Sequence, residues 1–457
     1  MKKFIVSAGM VAIGAAGLQN AMGAAADALS PKAWSFGATL RGFYDDNYAI
    51  GTTSKGSAGV EISPNIQVNI PFRQTDVGLR YIYGLYYYQD RQNIGINPID
   101  QSHHVELWLD HKFNTRWHLN VSDTLAIGQE PELLQTSTSQ AFRVKGDNIA
   151  NHANISLETD WTSSFQTSLH YGNTIVDYDN HGGAAVADPG GAPTALGLPV
   201  TTPGVVGFSK VVSSLSGTLD RVEQTFGINL NWVLTPVTTL TFGYNFGLVN
   251  YTGGEDIAVF NYQDVLLQNR SLIYRSDSRD SMSHTAFVGV KRQLTPNIVG
   301  SLSAGASYTD SYNDPLSHDT SLSPYGDMNI SYTFIPGSYV QLGLSHSINS
   351  TDVVQPSLQT GKLTQYQQSS VVYADVNHKF TQKLSGSLIA RFQNSQYEGG
   401  QNNNQSDQSY GAGVNLHYQI NQHFSTEVGY NYDDLISGLN GRSYERNRVY
   451  LGVTASY

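Results

Sequence analysis

The amino-acid sequence predicts an all-β protein: a transmembrane antiparallel up-and-down β-barrel of about 18 strands with short periplasmic turns and long extracellular loops. Three observations carry this prediction. Apolar and polar residues alternate at period two in segments of about ten residues, and the apolar positions end in aromatic residues. Only 14% of the residues are charged, whereas a soluble domain averages roughly 25%. The 28 Tyr and 17 Phe suit aromatic girdles at two membrane surfaces.

The N-terminus predicts export from the cytoplasm. Lys2 and Lys3 precede an apolar stretch, 4–18, and small residues follow it, so residues 1–23 are interpreted as a signal peptide with cleavage between 23 and 26. Removing both lysines changes the formal net charge from −11 to −13, which argues against a nucleic-acid partner. Cysteine is absent, which excludes disulfides and thiolate metal sites. Residues 24–32 are expected to be a short periplasmic segment, and residues 33–457 a single outer-membrane barrel domain.

The C-terminal segment shows the alternation most clearly. Val449, Leu451 and Val453 alternate with Gly452 and Thr454, and the same pattern recurs along the chain. In a soluble sandwich the polar face would be rich in Lys and Glu, but here it is mostly Gly, Ser, Asn, Gln and Thr. This composition favours a lipid-facing apolar side and a lumen-facing polar side.

Short turns and long loops alternate between the segments. The predicted strands are 33–45, 57–71, 75–89, 101–113, 117–128, 148–160, 164–178, 219–234, 238–252, 280–294, 298–311, 324–335, 339–351, 366–380, 384–398, 408–420, 424–436 and 444–457. An even number places both termini at the short-turn end, which is periplasmic in bacterial barrels. The longest loop, about 179–217, is small and apolar around 184–200, so it either folds into the lumen as a plug or forms a disordered surface loop.

A barrel of this width leaves an aqueous lumen, so the side chains of the polar face are the candidate functional residues. Nine cations are predicted to line the lumen: Arg41, Arg80, Lys112, Arg221, Lys291, Lys379, Arg391, Arg446 and Arg448. Eight anions are predicted beside them: Glu61, Glu106, Asp110, Glu158, Asp160, Glu223, Asp375 and Glu427. This near balance predicts no strong ion selectivity.

Aromatic residues on the polar face could stack on sugars. The candidates are Phe43, Tyr86, Tyr88, Trp108, Tyr373 and Tyr450, which are scattered over several strands without a sequential ladder. No phosphate-binding loop, HExxH or GxSxG motif is present, so no catalytic residue, metal site or cofactor is predicted.

The C-terminal stretches 429–432 (GYNY) and 443–453 (SYERNRVYLGV) resemble the family named putative β-barrel porins. This group of outer-membrane proteins includes barrels encoded with exopolysaccharide export systems. Tyr457 is similar to the terminal aromatic residue that the barrel-assembly machinery reads as an assembly signal. The resemblance implies an integral protein of the bacterial outer membrane, surrounded by outer-membrane lipid and lipopolysaccharide.

The sequence therefore predicts a porin-like channel for passive diffusion of small hydrophilic solutes, and not an enzyme. Two alternatives stay open at this point. The barrel could be the outer-membrane component of a surface-polysaccharide or secretion apparatus with periplasmic partners, or a structural or adhesive surface barrel. The sequence leaves the oligomeric state undetermined.

Overall fold

A closed ring of strands dominates the protein. The computed structural model describes residues 33–94, 97–128, 147–179, 208–211, 214–263, 269–316, 319–357 and 359–457. The predicted signal peptide, the segment 24–32 and the apolar stretch 184–200 lie outside these residues. Eighteen strands form one antiparallel sheet in which each strand pairs with its neighbours in chain order, and the last pairs with the first.

The barrel strands have the following bounds: β1 Trp34–Asp45, β2 Ser57–Pro71, β3 Thr75–Tyr88, β4 Ile99–Lys112, β5 Trp117–Gly128, β6 Asn148–Asp160, β7 Phe165–Tyr178, β9 Arg221–Thr235, β10 Thr238–Tyr251, β13 Ser281–Thr295, β14 Ile298–Ser311, β15 Asp319–Ile335, β16 Ser338–Ser350, β17 Thr364–Lys379, β18 Leu384–Gly399, β19 Ser406–Gln419, β20 Phe424–Ser437 and β21 Tyr444–Ser456.

All eighteen predicted barrel strands are confirmed, and their ends agree within two residues with one exception. β15 was predicted to begin at 324, but it begins at Asp319. Pro324 lies inside the strand opposite Ala306, so the prediction of this boundary was wrong.

Closure of the ring joins the two ends of the chain. β1 pairs with β2 on one side and with β21 on the other, from Gly37 opposite Ser456 to Asp45 opposite Arg448. The backbone N–H of Tyr457 donates to the carbonyl of Phe36 at 2.8 Å. Because the described sheet closes on itself, its strands satisfy one another's backbone groups, as a membrane-spanning sheet requires.

The two faces of the barrel differ in the way that the alternation predicts. Large apolar side chains stand exposed on the outside, for example Leu302 at 52% and Leu342 at 50%. Aromatic pairs lie at the short-turn end, where the rings of Trp117 and Trp161 are 5.9 Å apart. An exposed apolar belt bordered by aromatic rings is the surface that a barrel presents to lipid.

The long-loop end carries additional structure that the sequence analysis interpreted as loop. A small sheet consists of β8 Phe208–Val211, β11 Asp256–Gln263 and β12 Asn269–Arg275. A short α-helix, Leu215–Leu219, and a 3-10 helix, Ser276–Arg279, contact it, and another 3-10 helix, Gln89–Ile94, lies between β3 and β4. Among the described residues, none of the helices has the length and apolar character of a membrane-spanning helix.

Candidate functional site

An arginine-centred network lies on the lumen wall where the barrel closes. Arg41 of β1 donates from Nη1 to Glu61 of β2 at 2.8 Å and from Nε to Glu427 of β20 at 2.6 Å. The three side chains are nearly buried, with 12% of the Arg41 side chain exposed. The Arg41 side chain crosses β21 at Gly452, where an added Cβ would lie 2.7 Å from the Arg41 Cγ. Glycine at this position therefore allows one arginine to join strands on both sides of the closure.

The same network extends further along the wall. Asn415 of β19 donates to the Tyr450 hydroxyl at 2.7 Å and to Glu427 at 3.2 Å. The Arg41 guanidinium lies 5.3 Å from the centre of the Tyr450 ring. Five consecutive strands, β19, β20, β21, β1 and β2, are thus linked by side chains that run along the wall. Arg41, Glu427 and Tyr450, predicted separately as lumen residues, are brought together here.

Large side chains of the inward face lie flat against glycines of the neighbouring strand. Trp108 of β4 is opposite Gly78 of β3, and a Cβ added to Gly78 would lie 1.8 Å from the Trp108 ring. The same relation holds for five further cross-strand pairs: Phe43 with Gly59, His170 with Gly227, Phe287 with Gly243, Tyr373 with Gly343 and Tyr450 with Gly429. These rings therefore occupy the space above the wall and do not point toward the barrel axis.

Four of the six aromatic candidates gather on one side of the barrel. Phe43, Tyr86, Tyr88 and Tyr450 form one cluster with Tyr48. Phe43 and Tyr88 are buried, and the guanidinium of Arg448 lies 4.5 Å from the centre of the Phe43 ring. Because the rings of Phe43 and Tyr88 are buried, they cannot stack on a solute and instead pack the wall, with Tyr86 and Tyr450 partly buried against them. Trp108 and Tyr373 lie on other strands, apart from the cluster.

Most of the remaining predicted lumen charges have polar partners on the same wall. The contacts are Arg80–Glu106 at 4.0 Å, His118–Asp110 at 2.7 Å, His118–Glu158 at 3.7 Å, Arg221–Glu223 at 2.6 Å, Tyr339–Asp375 at 3.1 Å, Arg391–Gln393 at 2.6 Å and Arg446–Asp45 at 3.0 Å. For the other four predicted charges, the residue directly opposite on the neighbouring strand is polar: His118 opposite Lys112, Gln166 opposite Asp160, Ser301 opposite Lys291 and Ser385 opposite Lys379. Tyr457, the predicted assembly signal, is exposed, and its ring lies 5.9 Å from that of Trp34.

Further carboxylates lie on the inward positions of the strands, including Asp45, Asp76, Asp327 and Asp433. Asp45 binds Arg446, and Asp433 is paired with Arg446 in the sheet. Asp76 is paired with Asp110, and Asp327 is paired with Ser345 on β16. Sequence reasoning left them out of the predicted lumen charges, although they lie within the predicted strands 33–45, 75–89, 324–335 and 424–436 and the period-two count places them inward. They shift the near balance of the predicted lumen charges toward acid.

Residues 351–357, named here the mouth segment, follow β16 at the long-loop end. Arg279, which precedes β13, donates to the Thr351 carbonyl at 2.5 Å and to the Thr218 carbonyl at 2.7 Å. Arg442, which precedes β21, pairs with Asp352 at 3.0 Å and with Asp407 at 3.2 Å. The sequence analysis proposed a different segment, 184–200, for the mouth and gave no role to these arginines.

A carboxyl group with a raised pKa lies beside the mouth segment. Asp220 accepts a hydrogen bond from the Tyr178 backbone N–H at 2.8 Å and another from the Ser216 hydroxyl. Burial, opposed by these hydrogen bonds and assisted by nearby Asp177, raises the pKa of Asp220 to about 6. The group therefore titrates near neutral pH, unlike an exposed aspartate.

Within the described part of the chain, no group of three or more His, Asp or Glu side chains is arranged to hold a metal ion. A groove of about 630 Å³ lies on the outward face of β15–β20, over Ala374, Ala390 and Ala412. Because its walls are apolar side chains of the lipid-facing belt, the groove is not part of the lumen.

Comparison with known proteins finds a family model that matches the C-terminal part of the chain. The family model described as Putative beta-barrel porin 2 matches residues 261–457. Over these residues the chain is similar to that porin family. The family recognised from the C-terminal strands is thereby confirmed, and the protein has a porin-like β-barrel fold. Among curated proteins, none matches the sequence.

The chain also has weak similarity to solved structures, among them an outer membrane protein and a siderophore receptor. The outer membrane protein opdK from Pseudomonas aeruginosa has 11% identity and a TM-score of 0.42, over 93% of this chain and 99% of its own. OccK11 (OpdR) from Pseudomonas aeruginosa has 12% identity and a TM-score of 0.41, over 93% and 96%. The siderophore receptor PiuA from Acinetobacter baumannii has 9% identity and a TM-score of 0.43, over 94% and 82%. At these TM-scores the similarities carry no argument about function.

Proposed function

We propose that the protein is an integral outer-membrane channel through which small hydrophilic solutes diffuse passively. The observation that carries the proposal is the position of the large inward side chains, which lie flat over glycines such as Gly78 and Gly343. With strands 4.7–4.9 Å apart and tilted by 35–45°, an 18-stranded barrel has a diameter of roughly 35 Å. Side chains that lie along such a wall leave its centre to water.

The lumen wall also fits this function chemically. Its ionic groups are mostly paired within the wall, as Arg41 is with Glu61 and Glu427. Paired charges present a polar surface without a strong net field, which suits neutral and weakly charged solutes. Outer-membrane lipid and lipopolysaccharide would surround the apolar belt, and the barrel-assembly machinery would insert the chain.

Liposome swelling tests the proposal. Vesicles containing the refolded full chain are diluted into isotonic solutions of neutral sugars of increasing size, and vesicles with the same amount of heat-unfolded protein serve as the control. Swelling that is fast for small sugars and slows with sugar size supports a diffusion channel. Swelling no faster than in the control vesicles, from a barrel that retains its strand content by circular dichroism, would contradict it.

A second candidate function is a conduit in an export apparatus that opens only with periplasmic partners. The observation that favours it is the set of contacts that the mouth segment makes with Arg279 and Arg442. This candidate predicts that affinity purification from intact envelopes recovers periplasmic proteins with the barrel. Recovery of the barrel alone after cross-linking would count against it.

A further inference from the structure

The mouth segment is buried where a loop between neighbouring strands normally faces water. β16 ends at Ser350 and β17 begins at Thr364, so a short hairpin turn would be sufficient to connect them. The chain instead makes a longer excursion in which Thr351 is 0% exposed and Val354 is 5% exposed. Burial of this kind requires other parts of the chain to cover the segment from several sides.

Those covering contacts come from widely separated parts of the ring. Arg279 stands at the start of β13 and Arg442 at the start of β21, and seven barrel strands lie between β13 and β21. Since the ring has eighteen strands, these positions are on nearly opposite sides of the barrel. Yet the two arginines bind adjacent residues, Thr351 and Asp352.

Only a position over the opening allows both contacts. Opposite walls of the barrel are roughly 35 Å apart, and an arginine side chain reaches a small part of that distance. The segments that carry Arg279 and Arg442 must therefore lean inward and meet the mouth segment over the lumen. A loop that followed the rim from β16 to β17 could not contact both.

An apolar contact holds the other end of the mouth segment. Val354 and Leu363 pack against Ile257, Ala258 and Tyr274 of the small sheet. The Tyr274 hydroxyl also donates to the carbonyl of Gly361. A hydrogen bond from Arg279, an ion pair with Arg442 and an apolar contact with the small sheet fix the segment in one position.

We infer that the mouth segment obstructs the long-loop mouth of the channel and limits the size of the solutes that pass, and that Arg279 and Arg442 hold it in place. This inference rests on the proposed channel function. Arg442 is the weaker of the two attachments, since 24% of its side chain is exposed and water can compete for it. Arg279 is 1% exposed and lies 4.4 Å from the centre of the Tyr251 ring.

Single-channel conductance of the full chain in planar bilayers tests the inference with three variants. In the first, an Asn-Gly turn replaces residues 351–365 and closes the β16–β17 hairpin at the pair Ser350 and Tyr366. The second is Arg442→Gln, which removes the ion pairs with Asp352 and Asp407. The matched control is Arg275→Gln, because Arg275 is an exposed arginine at the same end whose side chain donates to the Gly254 carbonyl and not to the mouth segment.

The turn replacement should raise the conductance on the order of twofold or more, since conductance follows the open cross-section of the pore. Arg442→Gln should show the raised conductance of the turn replacement only intermittently, in openings of variable length. Arg275→Gln should have the conductance of the parent protein. Equal conductance for the parent and the turn replacement would overturn the inference and leave the channel function intact. Folded barrels that are silent in every variant would overturn the channel function, and the inference with it.

Discussion

Two networks of arginine contacts run in different directions in this barrel. In the wall, Arg41 binds Glu61 and Glu427 on strands close to its own, so its hydrogen bonds run along the circumference. At the mouth, Arg279 and Arg442 join segments from nearly opposite sides of the ring. The first arrangement closes the barrel and leaves the lumen free, whereas the second places chain over the lumen. Both networks are built on arginine. The direction of their contacts, along the wall or across the opening, separates the network that closes the barrel from the one that controls access to the lumen.

The partners of the arginines also differ. Arg41 neutralises two buried carboxylates, whereas Arg279 donates to two backbone carbonyls, which are neutral. Removing a cation from buried carboxylates leaves uncompensated charge, while removing it from carbonyls leaves only unsatisfied acceptors. The two networks should therefore respond differently to the same substitution.

Arg41→Met should have the largest effect on stability. It leaves Glu61 and Glu427 buried and close together, which should lower the free energy of unfolding by about 3–5 kcal/mol. Arg279→Met should lower it by about 1–3 kcal/mol, the cost of unsatisfied neutral acceptors. Urea unfolding of the refolded protein in lipid vesicles measures both. Equal losses for the two variants would contradict the distinction drawn between the networks.

Gly78→Ala tests how the wall accommodates its aromatic rings. The added methyl group would lie 1.8 Å from the Trp108 ring, so the ring must leave the wall. Overpacking of this kind should lower the free energy of unfolding by about 1–3 kcal/mol and reduce the conductance, because the ring then enters the lumen. Gly42→Ala is the matched control, since nothing lies within 4 Å of its added Cβ. A control that costs as much as Gly78→Ala would argue against the flat packing of Trp108.

The segment 214–220 beside the mouth should become more stable as the pH falls. Burial raises the pKa of Asp220 from 3.8 to about 6, so the folded state holds the proton more tightly than the unfolded state. The stability of this segment should therefore be lower above pH 6 and should rise as the pH falls from 6 toward 4. Hydrogen exchange of the Gly217 and Asp220 amides, corrected for intrinsic rates, should slow over that range. Asp220→Asn should remove most of this pH dependence, and an unchanged dependence would contradict the assignment to Asp220.

The smallest expected effect is a change in ion selectivity when one lumen carboxylate is removed. The carboxylates Asp45, Asp76, Asp327 and Asp433 add negative charge to a wall whose predicted charges nearly balance, so a weak preference for cations is expected. Asp327→Asn should reduce the reversal potential measured in a potassium chloride gradient. Asp434→Asn, which changes a carboxylate with the outward parity of Ile436 on β20, opposite Tyr410, should leave it unchanged. An anion preference in the parent protein would contradict this reading of the wall.

The barrel strands could be predicted because each one is determined by residues that are close together in the sequence. Period-two alternation and tight turns fix a strand within about fifteen residues, and only the start of β15 differs from its predicted position by more than two residues. The glycine–aromatic pairs were not predictable, because Gly78 and Trp108 meet only once the register across a long connection is known. The contacts of the mouth segment were not predicted either, because they depend on loops far apart in the sequence. Arg279 finds Thr351 through contacts between loops that carry no periodic pattern, so the sequence directed attention to the apolar stretch 184–200 instead.

Chemical labelling of two adjacent residues tests the central claim, a water-filled lumen behind a lipid-facing surface, most directly. Ser301 lies on the inward face of β14, paired with Lys291, while its neighbour Leu302 is among the exposed apolar residues of the outward face. The chain has no cysteine, so Ser301→Cys and Leu302→Cys each introduce one thiol. In vesicles, a charged, membrane-impermeant maleimide should label Ser301→Cys and leave Leu302→Cys unreacted. An unreactive Ser301→Cys in a folded barrel, or rapid labelling of Leu302→Cys, would contradict the account.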